Sequence, residues 1–183
     1  MGALMQSKTP AAAQAAAAAL EQPQYLTFVL GGETYAIGIL RIKEIIEYGQ
    51  ITAVPMMPAF IRGVINLRGH VVPVVDLSVR FGRAATAVGR RTCIVILEIE
   101  AGEEQRQDIG VLVDAVNEVL EIPPAEIEPA PAFGARIRTD FIAGMGKVDG
   151  TFVIILHVDR VLSVEELALL NQVTEAAGES VAT

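Results

Sequence analysis

The sequence predicts an all-β fold built from two copies of one small β-barrel, packed on each other and followed by a C-terminal helix. The main observation is an internal repeat: residues 60–77 align without gaps with residues 141–158, and residues 42–47 align with residues 116–121. Two matched segments in the same order indicate a duplicated folding unit. The second observation is a series of short Val- and Ile-rich runs separated by turn residues, which is typical of small barrels.

The repeat divides the 183-residue chain into consecutive units. Because a unit of about 70 residues buries little apolar surface alone, the two barrels are predicted to share a buried seam. A capping box of Ser163 and Glu166, followed by apolar residues at helical spacing, predicts the helix. The sequence leaves open whether the first or last strands cross between the barrels. The predicted units are a flexible alanine-rich tail (1–22), a first barrel (23–91), a second barrel (92–162), a helix (163–174) and a tail (175–183).

Most predicted strands end at a turn or breaker signal. In the first copy these signals are Gly31-Gly32, Pro55 and Arg68-Gly69, while the second copy closes its central hairpin with Asp149-Gly150, a pair that type I′ turns favour. Because Pro73 has no N–H to donate, its strand is predicted to be an edge strand or to be bulged there. The predicted strands are residues 25–30, 35–40, 41–55, 63–67, 70–77, 92–100, 109–122, 144–148 and 151–158.

Composition and charge limit the functional classes. The net charge is −8 and uneven, with eight basic against four acidic residues in 33–91 and five against thirteen in 92–162. Such a distribution can orient a protein partner, and it argues against nucleic-acid binding, which needs a basic surface. No apolar run is long enough to span a membrane. The single cysteine, Cys93, forms no internal disulfide, which fits a reducing compartment such as the cytoplasm.

No catalytic, cofactor or metal site emerges from the residue types. The two histidines, His70 and His157, do not occupy equivalent positions in the repeat. A triad assembled from Ser78, His70 and Asp76 lacks a nucleophile elbow and an oxyanion-hole pattern. Two isolated histidines and one core cysteine offer no metal-ligand spacing. A small hydrolase that uses His70 and Asp76 therefore remains only a remote alternative.

The two copies differ at their central turns. The first copy has Arg68 where the second copy has Asp149. Arginine is a poor choice for a turn position with positive φ, so one interpretation of Arg68 is a requirement other than turn stability, and the other is an exposed, solvated turn arginine. Glu44 and Glu118 recur within otherwise apolar strands, where a carboxylate needs a partner or water. Half-exposed strand faces explain both glutamates equally well.

The chain resembles the bacterial chemotaxis coupling protein family (CheW-like) over roughly residues 25–172. The most specific feature is the NLRG hairpin followed by a VPxxDL strand. The resemblance rests on the runs FIRGVINLRGHVVPVVDLSVRFG, YAIGILRIKEI, TCIVILEIE, VDAVNEVLEI, IEPAP, FIAGMGKV and VIILHVDRVLS.

This resemblance implies a non-catalytic adaptor with two five-stranded, SH3-like barrels. Such proteins couple transmembrane chemoreceptors to a sensor histidine kinase, whose regulatory domain has the same double-barrel fold. The kinase is expected to contact one barrel end, and the cytoplasmic hairpin tip of a receptor is expected to lie in the groove between the barrels. The implied location is the cytoplasm, with recruitment to membrane receptor arrays. An isolated regulatory domain of a chemotaxis kinase is the main alternative.

The resemblance also implies roles for particular residues. Arg68 of the NLRG run matches the functionally sensitive arginine of the family and is expected to pair with Glu44. No role is assigned to His157, which stands where members often carry Asp or Asn. The predicted receptor- or kinase-binding residues are Ile42, Glu44, Gly63, Asn66, Arg68 and Gly144.

Overall fold

The structure is a computed structural model that describes residues 23–100, 106–129 and 141–161, together with Glu166, Ala168, Leu169 and Gln172. It confirms an all-β fold of two packed sheets. The predicted tails, residues 1–22 and 175–183, lie outside the described residues.

β-Strands account for most of the described chain, and they follow the predicted Val- and Ile-rich runs. Helical structure among these residues is limited to short segments, of which the α-helix α1 (Leu77–Arg80) matters most for the site. The strands are β1 (Gln24–Leu30), β2 (Glu33–Gly38), β3 (Ile42–Glu47), β4 (Ile61–Leu67), β5 (His70–Asp76), β6 (Cys93–Glu100), β7 (Arg106–Val113), β8 (Ala115–Glu121), β9 (Ile127–Glu128), β10 (Ile142–Val148) and β11 (Thr151–Leu156).

The strands form two sheets that exchange segments. Sheet I has the order β3-β6-β7-β5-β4, and sheet II has the order β8-β1-β2-β11-β10-β9. Strands β1 and β2 thus join the strands of the second copy, while β6 and β7 join those of the first. The sheets therefore do not follow the division predicted between residues 91 and 92. The chain changes sheet at the 3-10 turn Ile39–Arg41 and at Asp114, where one strand follows another without a hairpin.

The repeat is visible in the backbone geometry. The β4–β5 hairpin has a register shift between Ile61 and Gly63, and the β10–β11 hairpin has one between Ile142 and Gly144. The second strand of each hairpin also forms a short parallel pairing with another strand of its sheet: β5 pairs with β7, and β11 pairs with β2. The two hairpins are therefore equivalent elements in their respective sheets.

The largest apolar cluster lies between the sheets, which confirms the predicted buried seam. It combines side chains of both sheets, such as Phe28 and Tyr35 from sheet II with Val95 and Val111 from sheet I. A smaller apolar cluster around Ile94 has buried side chains from sheet I only. Burying each of these large side chains contributes about 1.5–3 kcal/mol, so the seam is a major source of stability for both sheets.

The prediction that Pro73 lies in an edge strand is wrong. Strand β5 lies between β4 and β7, and the register shift in its hairpin falls at Gly63 rather than at Pro73. The parallel pairing with β7 begins only at Val74. Pro73 is therefore accommodated because its nitrogen lies outside that pairing, although the strand itself is internal.

Asp76 connects sheet I to the loop before β6. Its fully buried carboxylate accepts hydrogen bonds from Ser78 N at 3.0 Å, Thr86 N at 2.9 Å and Thr86 Oγ1 at 2.9 Å. Three donors satisfy the charge that burial would otherwise penalise. Asp76 is thus the N-cap of α1 and also holds the following loop at Thr86.

The predicted C-terminal helix is described at four residues, all of them helical: Glu166, Ala168, Leu169 and Gln172. Ser163, the other half of the predicted capping box, lies outside the described residues. Within the part of the chain that is described, no helix has the length and apolar character needed to cross a bilayer.

Candidate functional site

The β4–β5 turn holds Arg68 in a left-handed conformation. Arg68 has φ +53° and Gly69 has φ +86°, and the equivalent residues of the second copy, Asp149 and Gly150, have φ +50° and +79°. The side chain of Asn66 closes the first turn, because its Oδ1 accepts a hydrogen bond from Gly69 N at 2.9 Å. The turn therefore presents Arg68 on a fixed backbone.

The structure brings Arg68 and Glu44 together. A guanidinium N–H of Arg68 donates to Glu44 Oε2 at 2.8 Å. The Arg68 side chain is 79% exposed, whereas that of Glu44 is 23% exposed. Within the described residues, the buried Oε1 of Glu44 has no hydrogen-bond partner. The partly buried Glu44 thus holds one N–H of the Arg68 guanidinium, and most of the guanidinium remains accessible to a binding partner.

This ion pair occurs in only one copy of the repeat. The counterparts of Arg68 and Glu44 are Asp149 and Glu118, which are both acidic. Glu118 is exposed, and its backbone N–H donates to Thr27 Oγ1 at 3.2 Å. Since two carboxylates repel each other, the second copy cannot form the same contact. The ion pair between the turn residue and a strand glutamate is therefore found at the Arg68 turn of sheet I and not at the equivalent turn of sheet II.

A charged cluster adjoins the pair. Lys43 Nζ lies 2.9 Å from Asp108 Oδ1 and 3.1 Å from Glu98 Oε2, and Arg106 lies 2.9 Å from Glu98 Oε1. Hydrogen bonding to Asp108 raises the pKa of Lys43, and hydrogen bonding to Lys43 lowers the pKa of Glu98. This cluster was not predicted, because its members become neighbours only through the register of β3, β6 and β7.

An open cavity of about 220 Å³ connects the cluster to the turn. It is lined by Lys43, Glu44, Leu67, Arg68, His70, Val72, Ile96 and Asp108. The apolar floor is surrounded by charged groups of both signs. This composition suits a protein surface with polar side chains around a small apolar centre.

Gly63 and Gly144 occupy equivalent positions with a structural role. A Cβ on Gly63, which has φ +146°, would overlap the carbonyl oxygen of Thr52. A Cβ on Gly144 would lie 2.6 Å from Ile127 Cγ2. In each copy, therefore, the glycine lets a neighbouring segment approach the bulged strand. Their assignment as receptor- or kinase-binding residues stays a prediction.

Ile42 begins the strand that carries Glu44. It is the first residue of β3, is partly buried, and is paired with Leu97. Its side chain packs against the apolar cluster of the seam. Ile42 is thus placed to affect how the sheets pack, and its role in receptor binding also stays a prediction.

The geometry does not support the hydrolase alternative. His70 and Asp76 are the first and last residues of β5, so about 20 Å of extended strand separates them. His70 is exposed, while the carboxylate of Asp76 accepts hydrogen bonds from Ser78 in the cap and Thr86 in the loop. The triad of Ser78, His70 and Asp76 is therefore not assembled.

Comparison with known proteins identifies the family. A model described as the CheW-like domain matches residues 24–166. The chemotaxis protein CheW of Klebsiella aerogenes is 35% identical over 153 residues, covering 84% of this chain and 89% of that protein. The chemotaxis protein CheW of Rhizobium meliloti is 30% identical over 143 residues, covering 78% and 89%. The crystal structure of the scaffolding protein TtCheW from Thermoanaerobacter tengcongensis has a TM-score of 0.70 at 35% identity, covering 78% of this chain and 88% of that one.

These matches define the class as a chemotaxis scaffold, a protein that acts by binding rather than by catalysis. The chain belongs to the CheW-like domain family. Its function is that of a non-catalytic adaptor between chemoreceptors and a histidine kinase. The repeat, the NLRG hairpin and the pairing of the NLRG arginine with Glu44 all agree with this assignment.

Proposed function

We propose that this adaptor binds the regulatory domain of a chemotaxis kinase and the cytoplasmic hairpin tips of chemoreceptors, with Arg68 as a principal binding residue. Family membership supports the two partners. The assignment of Arg68 as a binding residue rests on its exposed guanidinium, which Glu44 holds in place. Arg68 also occupies a turn position with positive φ, where residues other than arginine are favoured.

Energetic comparison supports a binding role for Arg68 over a folding role. An exposed ion pair contributes only about 0–1 kcal/mol to stability. A left-handed backbone conformation costs an ordinary side chain about 1–2 kcal/mol. Asp149 shows that an Asp-Gly turn serves the same geometry in the other copy. Arginine at this position therefore gives the folded chain no net advantage, whereas an exposed planar cation is well suited to binding a partner's carboxylates or carbonyls.

The outer faces of the strands offer surfaces for docking a related barrel. Ile45 on β3, Val119 on β8 and Phe152 on β11 are exposed large apolar side chains. Aromatic and aliphatic side chains are common at the centre of protein interfaces. Following the family resemblance, we assign one such outer face to the kinase and a groove between the two barrels to the receptor tip.

The same proposal accounts for location. A cytoplasmic adaptor that binds receptor tips is recruited to the membrane arrays of those receptors. Many simultaneous contacts of moderate strength then hold it there, since linked binding events raise the effective affinity.

The test is a binding assay with a purified receptor cytoplasmic fragment and a kinase regulatory domain. Arg68→Glu is expected to weaken at least one of the two complexes by about tenfold or more, the effect of ~1.4 kcal/mol. Arg90→Glu, the same change at an exposed loop arginine, is the matched control and is expected to have little effect. Unchanged binding of both partners by Arg68→Glu would overturn the assignment of Arg68.

A charge exchange separates the two possible roles of the pair. The double variant Glu44→Arg with Arg68→Glu restores an ion pair but removes the exposed cation. If Arg68 contacts the partner directly, the double variant binds as weakly as Arg68→Glu alone. Recovery of binding would instead show that only the pair, and not the position of the cation, matters.

A further inference from the structure

Arg80, at the end of α1, joins parts of the chain that are far apart in sequence. Its guanidinium carbon lies 5.3 Å from the ring centroid of Phe60 and 4.9 Å from that of Phe141. Its Nε donates to the carbonyl oxygen of Val161 at 2.9 Å, and its Nη2 donates to Glu166 Oε1 at 3.0 Å. The side chain is only 18% exposed. Two aromatic faces, a carbonyl and a carboxylate thus surround one largely buried cation.

These contacts link equivalent positions of the two copies. Phe60 and Phe141 are counterparts in the repeat, and the same spacing makes Val161 the counterpart of Arg80. Phe60 precedes β4 of sheet I, whereas Phe141 precedes β10 of sheet II. The guanidinium therefore lies where the two equivalent hairpins meet, and it occurs in one copy only.

Arg83 adds a second connection from the same segment. Its Nη2 donates to Glu33 Oε2 at 2.7 Å, and its guanidinium carbon lies 6.0 Å from the Tyr35 ring centroid. Between the two arginines, the Phe81 ring stacks on Tyr35 at 5.8 Å and lies 5.7 Å from Phe141. Residues 80–83 are thus fixed to sheet II at more than one point, so they restrict rotation between the sheets as well as separation.

We propose that Arg80 is a positioning residue that sets the orientation of sheet II relative to sheet I, and with it the shape of the groove for the receptor tip. This inference rests on the proposed function, in which the receptor uses the groove and the kinase uses an outer face of one barrel. Its consequence is selective: losing the Arg80 contacts weakens receptor binding, whereas kinase binding persists. Arginine suits this position because its planar guanidinium can contact aromatic faces and donate hydrogen bonds in its own plane.

The experiment compares Arg80→Met, which keeps an apolar stem between the two rings, with the control Arg90→Met at an exposed loop position. Spin labels at Glu47 on β3 and Glu121 on β8, in a Cys93→Ser background, report the distance between the sheets by pulsed electron resonance. Arg80→Met is expected to broaden or shift this distance distribution. It is also expected to weaken receptor-fragment binding about tenfold while kinase-domain affinity stays within about twofold. Arg90→Met is expected to change none of these.

Either an unchanged distance distribution or an unchanged receptor affinity would overturn the inference. An equal loss of both affinities would do so as well, because it would indicate general destabilisation. If the native protein itself fails to bind the receptor fragment, the proposed function fails instead. Should Arg80→Met not fold, Arg80→Lys and Glu166→Gln provide milder changes, and each is expected to weaken receptor binding more than kinase binding.

Discussion

Replacing Arg68 by asparagine tests whether this residue serves binding or folding. Asparagine tolerates the left-handed conformation that Arg68 adopts at φ +53°. The change therefore relieves part of the backbone strain while it removes the exposed cation. A residue that serves binding should be replaceable with little loss of stability and a large loss of affinity.

The structure sets the expected magnitude. Relief of the left-handed conformation contributes about 1 kcal/mol, out of the ~1–2 kcal/mol that this conformation costs an ordinary residue. Loss of the exposed ion pair with Glu44 costs about 0–1 kcal/mol. The two effects oppose each other, so the melting temperature should stay within about 3 °C, given ~2–4 °C per kcal/mol for a chain of this size. Receptor or kinase affinity should fall about tenfold or more.

The assay combines thermal unfolding by circular dichroism with calorimetric titration of both partners. A double-mutant cycle with Glu44→Gln adds the coupling energy of the pair, expected to be about 0–1 kcal/mol in the free protein. The reasoning would be refuted by a fall in melting temperature of ~10 °C, equivalent to ~3 kcal/mol, with affinity retained. That result would make Arg68 a folding residue.

Three further predictions concern the scaffold. Gly63→Ala should lower the free energy of unfolding by ~3 kcal/mol, because the added Cβ would clash with the backbone of Thr52. Gly144→Ala should lower it by only ~1–2 kcal/mol, because the added Cβ would meet a methyl group of Ile127. A larger loss for Gly144→Ala than for Gly63→Ala in urea titrations would contradict this. Asp76→Asn should cost ~2–3 kcal/mol, since the amide nitrogen cannot accept the hydrogen bonds of the carboxylate, and unchanged urea unfolding would be evidence against it. Burial raises the pKa of Tyr35 from 10.0 to about 12, so the unfolded chain releases this proton first and stability falls as the pH rises from 10 towards 12. Tyr35→Phe should lack this loss of ~2–3 kcal/mol, and identical alkaline unfolding of the two proteins would show that Tyr35 does not contribute.

The sequence could predict the features that depend on local pattern and on the repeat. The hairpin across Arg68-Gly69 follows from two apolar runs around a short turn, and the observed pairing of Leu67 with His70 agrees with it. The buried seam follows from the small size of each unit. The contact of Arg68 with Glu44 followed only from resemblance to a family, since no local pattern links β3 to a turn 24 residues away.

The exchange of strands between the sheets could not be predicted from the repeat. An offset identifies equivalent segments, but it carries no information on which sheet each segment joins. The chain changes sheet near Ile39 and at Asp114, through short segments without a distinctive sequence pattern. The contacts of Lys43 with Glu98 and Asp108 were missed for the same reason, because strand register places these side chains together.

In the proposed assembly, one chain binds two different proteins at once, on separate surfaces. Sedimentation velocity of the full chain mixed with a receptor cytoplasmic fragment and a kinase regulatory domain measures this directly. A single boundary heavier than either binary complex, and containing all three proteins, is the predicted result. Two binary complexes that exclude each other at every mixing ratio would contradict the account.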